Sequence, residues 1–358
     1  MRIGIILHPY GEDQPAGLSR TIFELTKSMI SMDQKNEYVI FLKRKPRCLP
    51  EFPGKNWSVY VLGEGLLWLD GLRRAPLCDV IIFNTPVLPL FYKPKNSVVL
   101  ALDFAYYYFP PKGFRATVMN KLTFWYHGRS LSRADAIVAI SEATKKDVIK
   151  LFRIAPERVR VVRCGFKNIC AVSEQAMTLP EKFFLFVGVM KPRKNVFNVV
   201  KAFRAICSLY PDYSLVLGGR AEGVYTDEMR HFINKEGISG RVHFIGHLND
   251  GQLSYIYRRA QALVFASFIE GFGYPVLEAM ACGTPVITSK FSSLGEICQN
   301  SSAILVDPVS IQELASAMEQ IVRDKGLTEK LIHNGQLQAA QFSWEKAGKE
   351  MLKALRLI

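Results

Sequence analysis

The feature that most constrains the fold is a rhythm: short strand-like apolar runs recur along the chain, each followed by a stretch with apolar residues at helical spacing. In the first half the runs are RIGIILH, EYVIFLK, SVYVLG, DVIIFN, SVVLALD, AIVAIS and RVRVVRCG, and the helical stretches include LSRTIFELTKSMISM and FRATVMNKLTFWYHGRSLSRA. Such alternation predicts βα units that build parallel sheets. Residues 167–180, KNICAVSEQAMTLP, are weakly periodic and end in proline, as a linker does. The rhythm then restarts with KFFLFVGV, YSLVLGG, RVHFIGH, ALVFAS, TPVITS and SAILVD. The expected fold class is α/β, two doubly wound parallel-sheet domains in tandem, spanning 1–170 and 171–340. A chain of 358 residues is too long for one small core, and sheets of this kind bind ligands beyond the carboxyl ends of their strands.

Charge narrows the partners. The net charge is +14, and residues 1–170 hold nearly all of it, with 26 Lys+Arg against 14 Asp+Glu. An excess of this size suits phosphate-bearing substrates, an anionic membrane surface or nucleic acid, beside the plain alternative of a solvated basic face. Nucleic acid fits poorly, because no recognisable binding module accompanies the charge. The seven cysteines are scattered and lack a Cys-x-x-Cys pair, so neither a disulfide framework nor a zinc site is expected, in keeping with a reducing cytosol. The opening MRIGIILHPYGED reads as a first strand and not as a signal peptide. No uninterrupted apolar stretch approaches bilayer length.

Residues 268–289, FIEGFGYPVLEAMACGTPVITS, carry the chemistry. Gly271 and Gly273 let a ligand approach main-chain N–H groups closely, and Pro275 suits the start of a helix, where its missing N–H costs nothing. A loop running into a helix N-terminus is an anion site. Glu270 and Glu278 flank it, and carboxylates there suit hydroxyl groups, a sugar on one side and a ribose on the other. A helix-start acid favoured by the dipole plus a solvated loop acid explains the same spacing.

The stretch resembles the signature of the retaining, nucleotide-sugar-dependent glycosyltransferases of family four (group 1 type), in which Glu, seven residues and Glu are followed by Ala-Met-Ala-x-Gly-x-Pro-Val, here AMACGTPVITS. FVGVMKPRKNVFNVVKAF (186–203) is similar to the donor-phosphate segment of that family, and LVLGGR (215–220), VHFIGHLND (242–250) and SSLGEI (292–297) fall where it has further strand-end glycines and a sugar-side loop. The resemblance implies the GT-B fold: two Rossmann-like domains facing a cleft, with residues 341–358 a helix returning to the first. It implies that Arg193 and Lys194 hold a diphosphate and stabilise the leaving group. Glu270, with Gly271, Phe272, Gly273 and Tyr274 beside it, contacts the transferred sugar, Glu278 binds the ribose, and Gly188 and Gly219 line the donor side. It implies a GDP- or UDP-linked sugar as co-substrate, mannose from GDP-mannose favoured, with no other cofactor and no metal, and a saccharide or lipid-linked saccharide as acceptor in polysaccharide, lipopolysaccharide or glycolipid assembly.

The first half matches loosely. PAGLSR (15–20) keeps Gly17 of a glycine-rich loop, which an ordinary strand-to-helix turn explains as well. LALDF (100–104) has Leu102 where many relatives have histidine, leaving Asp103 as the candidate for acceptor binding or proton handling, against a helix cap. His127 is a possible substitute, although a lone histidine on a partly apolar helix is commonly structural, and His243 and His247 lack a third metal-ligand partner. Residues 106–133 mix Tyr, Phe and Trp with Lys112, Arg115, Lys121, Arg129 and Arg133, which suits an anionic leaflet or a core-facing helix with exposed cations. The expected location is cytoplasmic, including the inner face of the membrane. A non-catalytic GT-B scaffold, or a GT-B enzyme with a soluble nucleotide-sugar or disaccharide substrate, remains an alternative.

Overall fold

The computed structural model describes residues 1–10 and 17–356, the side chains of 17–19 excepted. It forms two compact units, Met1–Gly165 with the stretch from Phe342 on, and Phe166–Gln341. The first unit contains β1 (Arg2–Ile6), β2 (Glu37–Leu42), β3 (Trp57–Val61), β4 (Val80–Phe83), β5 (Ser97–Ala101), β6 (Ala136–Ala139) and β7 (Val159–Val161). Between them lie α1 (Gly17–Met32), α2 (Ala105–Tyr108), α3 (Phe114–Arg133) and α4 (Glu142–Phe152). The second contains β8 (Lys182–Val187), β9 (Tyr213–Gly218), β10 (Val242–Gly246), β11 (Ala262–Phe265), β12 (Val286–Ser289) and β13 (Ile304–Val306). Its helices are α5 (Val196–Ile206), α6 (Val224–Lys235), α7 (Asp250–Arg259), α8 (Tyr274–Ala281), α9 (Ser292–Ile297), α10 (Ile311–Arg323) and α11 (Lys325–Ala339). A last helix, α12 (Trp344–Leu355), belongs to the first unit.

Both sheets are parallel throughout and repeat one order, β3-β2-β1-β4-β5-β6-β7 and β10-β9-β8-β11-β12-β13. The reason lies in the strands: β4, β5, β6, β11 and β12 are buried at every residue, so each needs helices over both faces. The order reverses between β1 and β4 in one sheet and between β8 and β11 in the other. Connections leave such a pair toward opposite faces, which opens a crevice at the carboxyl ends. In the second sheet the reversal sets Ala262 beside Phe184 and Leu263 beside Leu185, so the loops after β8 and β11 emerge side by side.

α12 packs on α1 at small residues. Ser28 Oγ donates to the Trp344 carbonyl at 2.6 Å, and a side chain on Gly348 would meet Ser28 and Met32. Residues 167–180 differ from a free linker. Lys167 pairs with Asp250, Glu174 with Arg258 and Arg259 (3.2 and 2.8 Å), and Gln175 with Asn249 (2.7 Å), which binds the segment along α7. The expectation of unpaired cysteines also needs correction. Cys170 in this segment and Cys282 at the end of α8 form a disulfide with Cα atoms 5.3 Å apart, a pairing that a separation of 112 residues hides in the sequence.

Candidate active site

The site is assembled from the loops after β8, β9 and β11. Past β8 the chain turns at Gly188 (φ 148°), and past β9 at Gly219 (φ 126°). A side chain on Gly219 would strike the Gly188 carbonyl, so only glycine lets the two strand ends touch. A single 3-10 turn, Pro192–Lys194, then presents the two cations and closes on Asn195 in the left-handed region (φ 59°), which asparagine tolerates. Buried Asn195 donates from Nδ2 to the carbonyls of Ala266 (3.0 Å) and Pro308 (2.6 Å). This fastens the turn to the end of β11, and Phe268 N–H donates to the Arg193 carbonyl at 2.9 Å.

The turn therefore faces Glu270. Lys194 Nζ donates to Glu270 Oε1 at 2.5 Å and Arg193 Nη1 to Oε2 at 3.2 Å. The Glu270 side chain is 9% exposed, those of Lys194 and Arg193 14% and 27%, so water screens the cluster weakly. Arg193 Nη1 also reaches the Ile269 carbonyl (3.3 Å), and Lys194 Nζ lies 4.9 Å from the centre of the Phe265 ring. The Glu270 main chain is clamped at both ends. Its N–H donates to Ser292 Oγ (3.2 Å), and its carbonyl accepts from Ser292 Oγ and Ser293 Oγ (2.8 Å each).

Beyond Glu270 the buried loop passes Gly271 and Phe272 to Gly273 (φ 120°), the N-cap of α8. A side chain at Gly273 would press on Leu294 and Ile297 at 2.7 and 2.9 Å. Tyr274 opens α8 with its ring 5.3 Å from that of Phe272, and Pro275 is the second helical residue. Glu278 sits one turn further on, 8% exposed, accepting from the Tyr257 hydroxyl at 3.2 Å. Burial first, then the Glu278 charge, drives the Tyr257 phenol well above its ordinary pKa, so it stays protonated and donates.

Gly188, Arg193, Lys194, Gly219, Glu270 to Tyr274 and Glu278 thus all lie at the carboxyl ends of the second sheet. In the first unit Gly17 begins α1, while Pro15 and Ala16 lie outside the described residues. Asp103 is exposed, and its Oδ1 accepts from Ala105 N–H at 3.1 Å at the start of α2. Leu102 is buried and its carbonyl accepts from Thr144 Oγ1 at 3.1 Å. His127 Nδ1 lies 2.7 Å from the Tyr106 hydroxyl, and burial lowers the imidazole pKa to about 4, which keeps it neutral near pH 7.

Two family models match the chain, "Glycosyltransferase Family 4" over residues 17–167 and "Glycosyl transferases group 1" over 173–338. Together they take in both units. The chain belongs to these glycosyltransferases. The O-antigen chain mannosyltransferase B of Escherichia coli is 28% identical over 239 residues, 64% of this chain and 62% of that protein. The chain thus spans less than two thirds of that relative's length. Among solved structures, the sucrose-phosphate synthase of Thermosynechococcus elongatus superposes with a TM-score of 0.78 at 20% identity, covering 99% of this chain and 98% of that one. The Anabaena protein Alr3699/HepE in complex with UDP-glucose gives 0.77 at 19% identity, with both chains fully covered. The two parallel-sheet units have the GT-B fold of these structures.

In this glycosyltransferase four residues hold the site together without a role in the motif reading, which quoted the segments of Asn195, Ser292 and Ser293 but gave these side chains no part and did not single out Tyr257. Asn195 directly follows the Arg-Lys pair, and a polar residue just before a helix is a readable signal. Tyr257 gives none, because its partner is 21 residues away. Among the described residues no group of three or more His, Cys, Asp or Glu side chains is placed to hold a metal ion, and no helix is long and apolar enough to cross a membrane.

Proposed function

We propose that the protein transfers a hexosyl group from a nucleotide-sugar to an acceptor hydroxyl with retention of configuration, mannose from GDP-mannose being the favoured donor. The observation that carries this reading is the Arg193–Glu270–Lys194 cluster on buried Glu270, just before α8 in the chain, with Glu278 one turn along that helix. Two cations pair with the one Glu270 carboxylate, and a diphosphate fits a pair of cations together with a helix start. Each Glu270 oxygen accepts from one cation, and a carboxylate has about four lone-pair positions, so acceptor capacity remains for sugar hydroxyls. Glu278 takes the ribose hydroxyls.

In the transfer the anomeric C–O bond to the diphosphate breaks and the acceptor oxygen bonds on the same face. The departing phosphate oxygen takes the acceptor proton. Arg193, Lys194 and the α8 N-terminus stabilise the charge that develops on that oxygen, and preorganised charge of this kind is the largest catalytic contribution expected here. The nucleotide-sugar is the sole co-substrate in this reading, with no metal. Likeness to an O-antigen mannosyltransferase supports mannose and a bacterial surface polysaccharide or lipopolysaccharide acceptor. Likeness to a protein bound to UDP-glucose makes UDP-sugars the competing donors. A thermal-shift screen of nucleotide-sugars followed by assay of acceptor-dependent nucleoside diphosphate release tests the reading. GDP-mannose should give the largest shift and support turnover; binding without turnover would mark a scaffold.

The acceptor side of the proposal is lipid-linked, at the inner face of the cytoplasmic membrane. Its support is a division of the aromatics around α3. Phe124 stacks on Phe152 (4.8 Å) and Tyr126 donates to the Leu88 carbonyl, facing inward, whereas Phe114, Met119, Leu122 and Trp125 are 85%, 61%, 53% and 61% exposed. Lys112, Arg115, Lys121 and Arg129 on the same stretch are exposed as well. Exposed apolar residues interspersed with exposed cations suit an anionic leaflet. Flotation with anionic vesicles should recover the protein at low salt and lose it at high salt; failure to float at low salt removes the membrane from the proposal.

A further inference from the structure

The dithiol pair Cys170 and Cys282 stands outside the chemistry described so far, yet it ends on the helix that carries Glu278. Cys282 is the C-cap of α8, four residues after Glu278, and Cys170 lies in the short turn Ile169–Ala171 at the entry to the second unit. The two Cα atoms are 5.3 Å apart, within the span that a disulfide requires. Cys170 is half-buried, so small thiol reagents reach the bond. Of the other five cysteines, Cys164, Cys207 and Cys298 are buried, burial pushes the Cys78 thiol up to about 11, and only Cys48 is exposed.

Polar contacts already fix the entry segment to α7. Asn168 Oδ1 accepts from Cys170 N–H (3.1 Å), and Arg258 donates to the Cys170 carbonyl (2.9 Å) in addition to the Glu174 ion pairs. On the other side, Thr284 Oγ1 donates to the Tyr257 carbonyl (2.6 Å), so the residues just after Cys282 touch the residue that holds Glu278. A covalent tie between Cys170 and Cys282 therefore links a segment anchored on α7 to the end of the donor helix.

We propose that Cys170 and Cys282 form a reversible thiol–disulfide switch that clamps α8 and raises affinity for the donor nucleotide. In the closing step the two thiols lose two protons and two electrons and one S–S bond forms. The acceptor is a low-molecular-weight disulfide such as glutathione disulfide, which becomes two thiols; a dithiol reductant reverses the step. The clamp acts by preorganisation, because ordering α8 before the ligand arrives removes that cost from binding. The effect on affinity rests on the donor-site reading above; the effect on stability does not.

The test uses the full chain after glutathione disulfide or dithiothreitol, with Cys170→Ser and Cys282→Ala as controls. Denatured wild type should show seven reactive thiols when reduced and two fewer when oxidised. Oxidation should raise the thermal midpoint by about 5–10 °C and tighten GDP or UDP binding at least threefold, with both variants held at the reduced values. Seven thiols after oxidation, or a disulfide that leaves midpoint and affinity equal to those of Cys170→Ser, would overturn the switch. A higher midpoint with unchanged affinity also overturns it and leaves a staple. If neither nucleotide binds in either state, the donor reading falls, and the clamp is decided by the midpoint and by protease resistance of residues 166–180.

Discussion

At the carboxyl end of β8 the second unit presents Arg193 and Lys194 on a turn stapled by buried Asn195, and at the end of β11 it presents Glu270, clamped by two serines. At the end of β5 the first unit presents Leu102, which is buried, and Asp103, exposed and hydrogen-bonded locally to Ala105. Both units follow the same strand order through β1–β6 and β8–β13. Topology supplies the place for a ligand, and the loop residues decide what it is. In the second unit these residues are held by buried contacts far apart in sequence, so the geometry exists before any ligand. The first unit has a half-buried polar pair in Tyr106 and His127, but it presents no charge near pH 7.

Substitutions can break or sharpen this contrast. The largest effect is expected for Lys194→Ala, which removes the nearer partner of Glu270 and a positive charge from the proposed donor site. It should lower kcat/KM by about 10²–10³-fold in a nucleoside diphosphate release assay. Next comes a pH effect confined to the first unit. His127 has its pKa lowered to about 4 in the folded protein, against an ordinary 6.5. The unfolded chain therefore binds the proton more readily. The stability that His127 contributes is full above pH 6.5 and is lost as pH falls from 6.5 toward 4, by up to about 3 kcal/mol. His127→Gln should flatten that slope in denaturant unfolding, and an unchanged slope would place its source elsewhere. Asp147, whose pKa burial raises, acts in the opposite direction at the acid end and is common to both proteins.

Tyr257→Phe deletes the donor to a buried carboxylate and should cost about 1–3 kcal/mol of stability. If the hydroxyl also positions Glu278 for the donor, KM for the nucleotide-sugar rises while kcat stays near wild type; a loss of stability alone would make Tyr257 structural. The smallest change is expected for Asp103→Asn. Its amide oxygen can still accept from Ala105, so fold and donor affinity should hold, while turnover falls roughly tenfold if the carboxylate serves the acceptor.

The elements were legible because strands buried on both faces read as apolar runs and helices keep their own period. The glycines were legible for the same local reason: Gly188, Gly219 and Gly273 occupy positive-φ positions. What escaped was contact between residues distant in sequence. Glu270, read as a carboxylate for sugar hydroxyls, and the two cations, read as phosphate ligands, form one ion-paired cluster, which the sequence hides because Glu270 lies 76 residues beyond Lys194 and spacing carries no distance. Cys170 and Cys282 escaped likewise. In the segment 106–133 composition left core and surface readings open, and the structure assigns some aromatics to each.

The most direct measurement is calorimetric titration of GDP-mannose and UDP-glucose into wild type and Glu278→Ala. Glu278 is buried with its own hydrogen-bond donor and lies one turn into the helix that begins four residues after Glu270, the partner of Arg193 and Lys194. Loss of its carboxylate should weaken binding of the preferred nucleotide-sugar by about 10–100-fold, the share of a charge-assisted hydrogen-bonding pair, with the fold intact by circular dichroism. Equal affinity in the two proteins would contradict a donor site on α8.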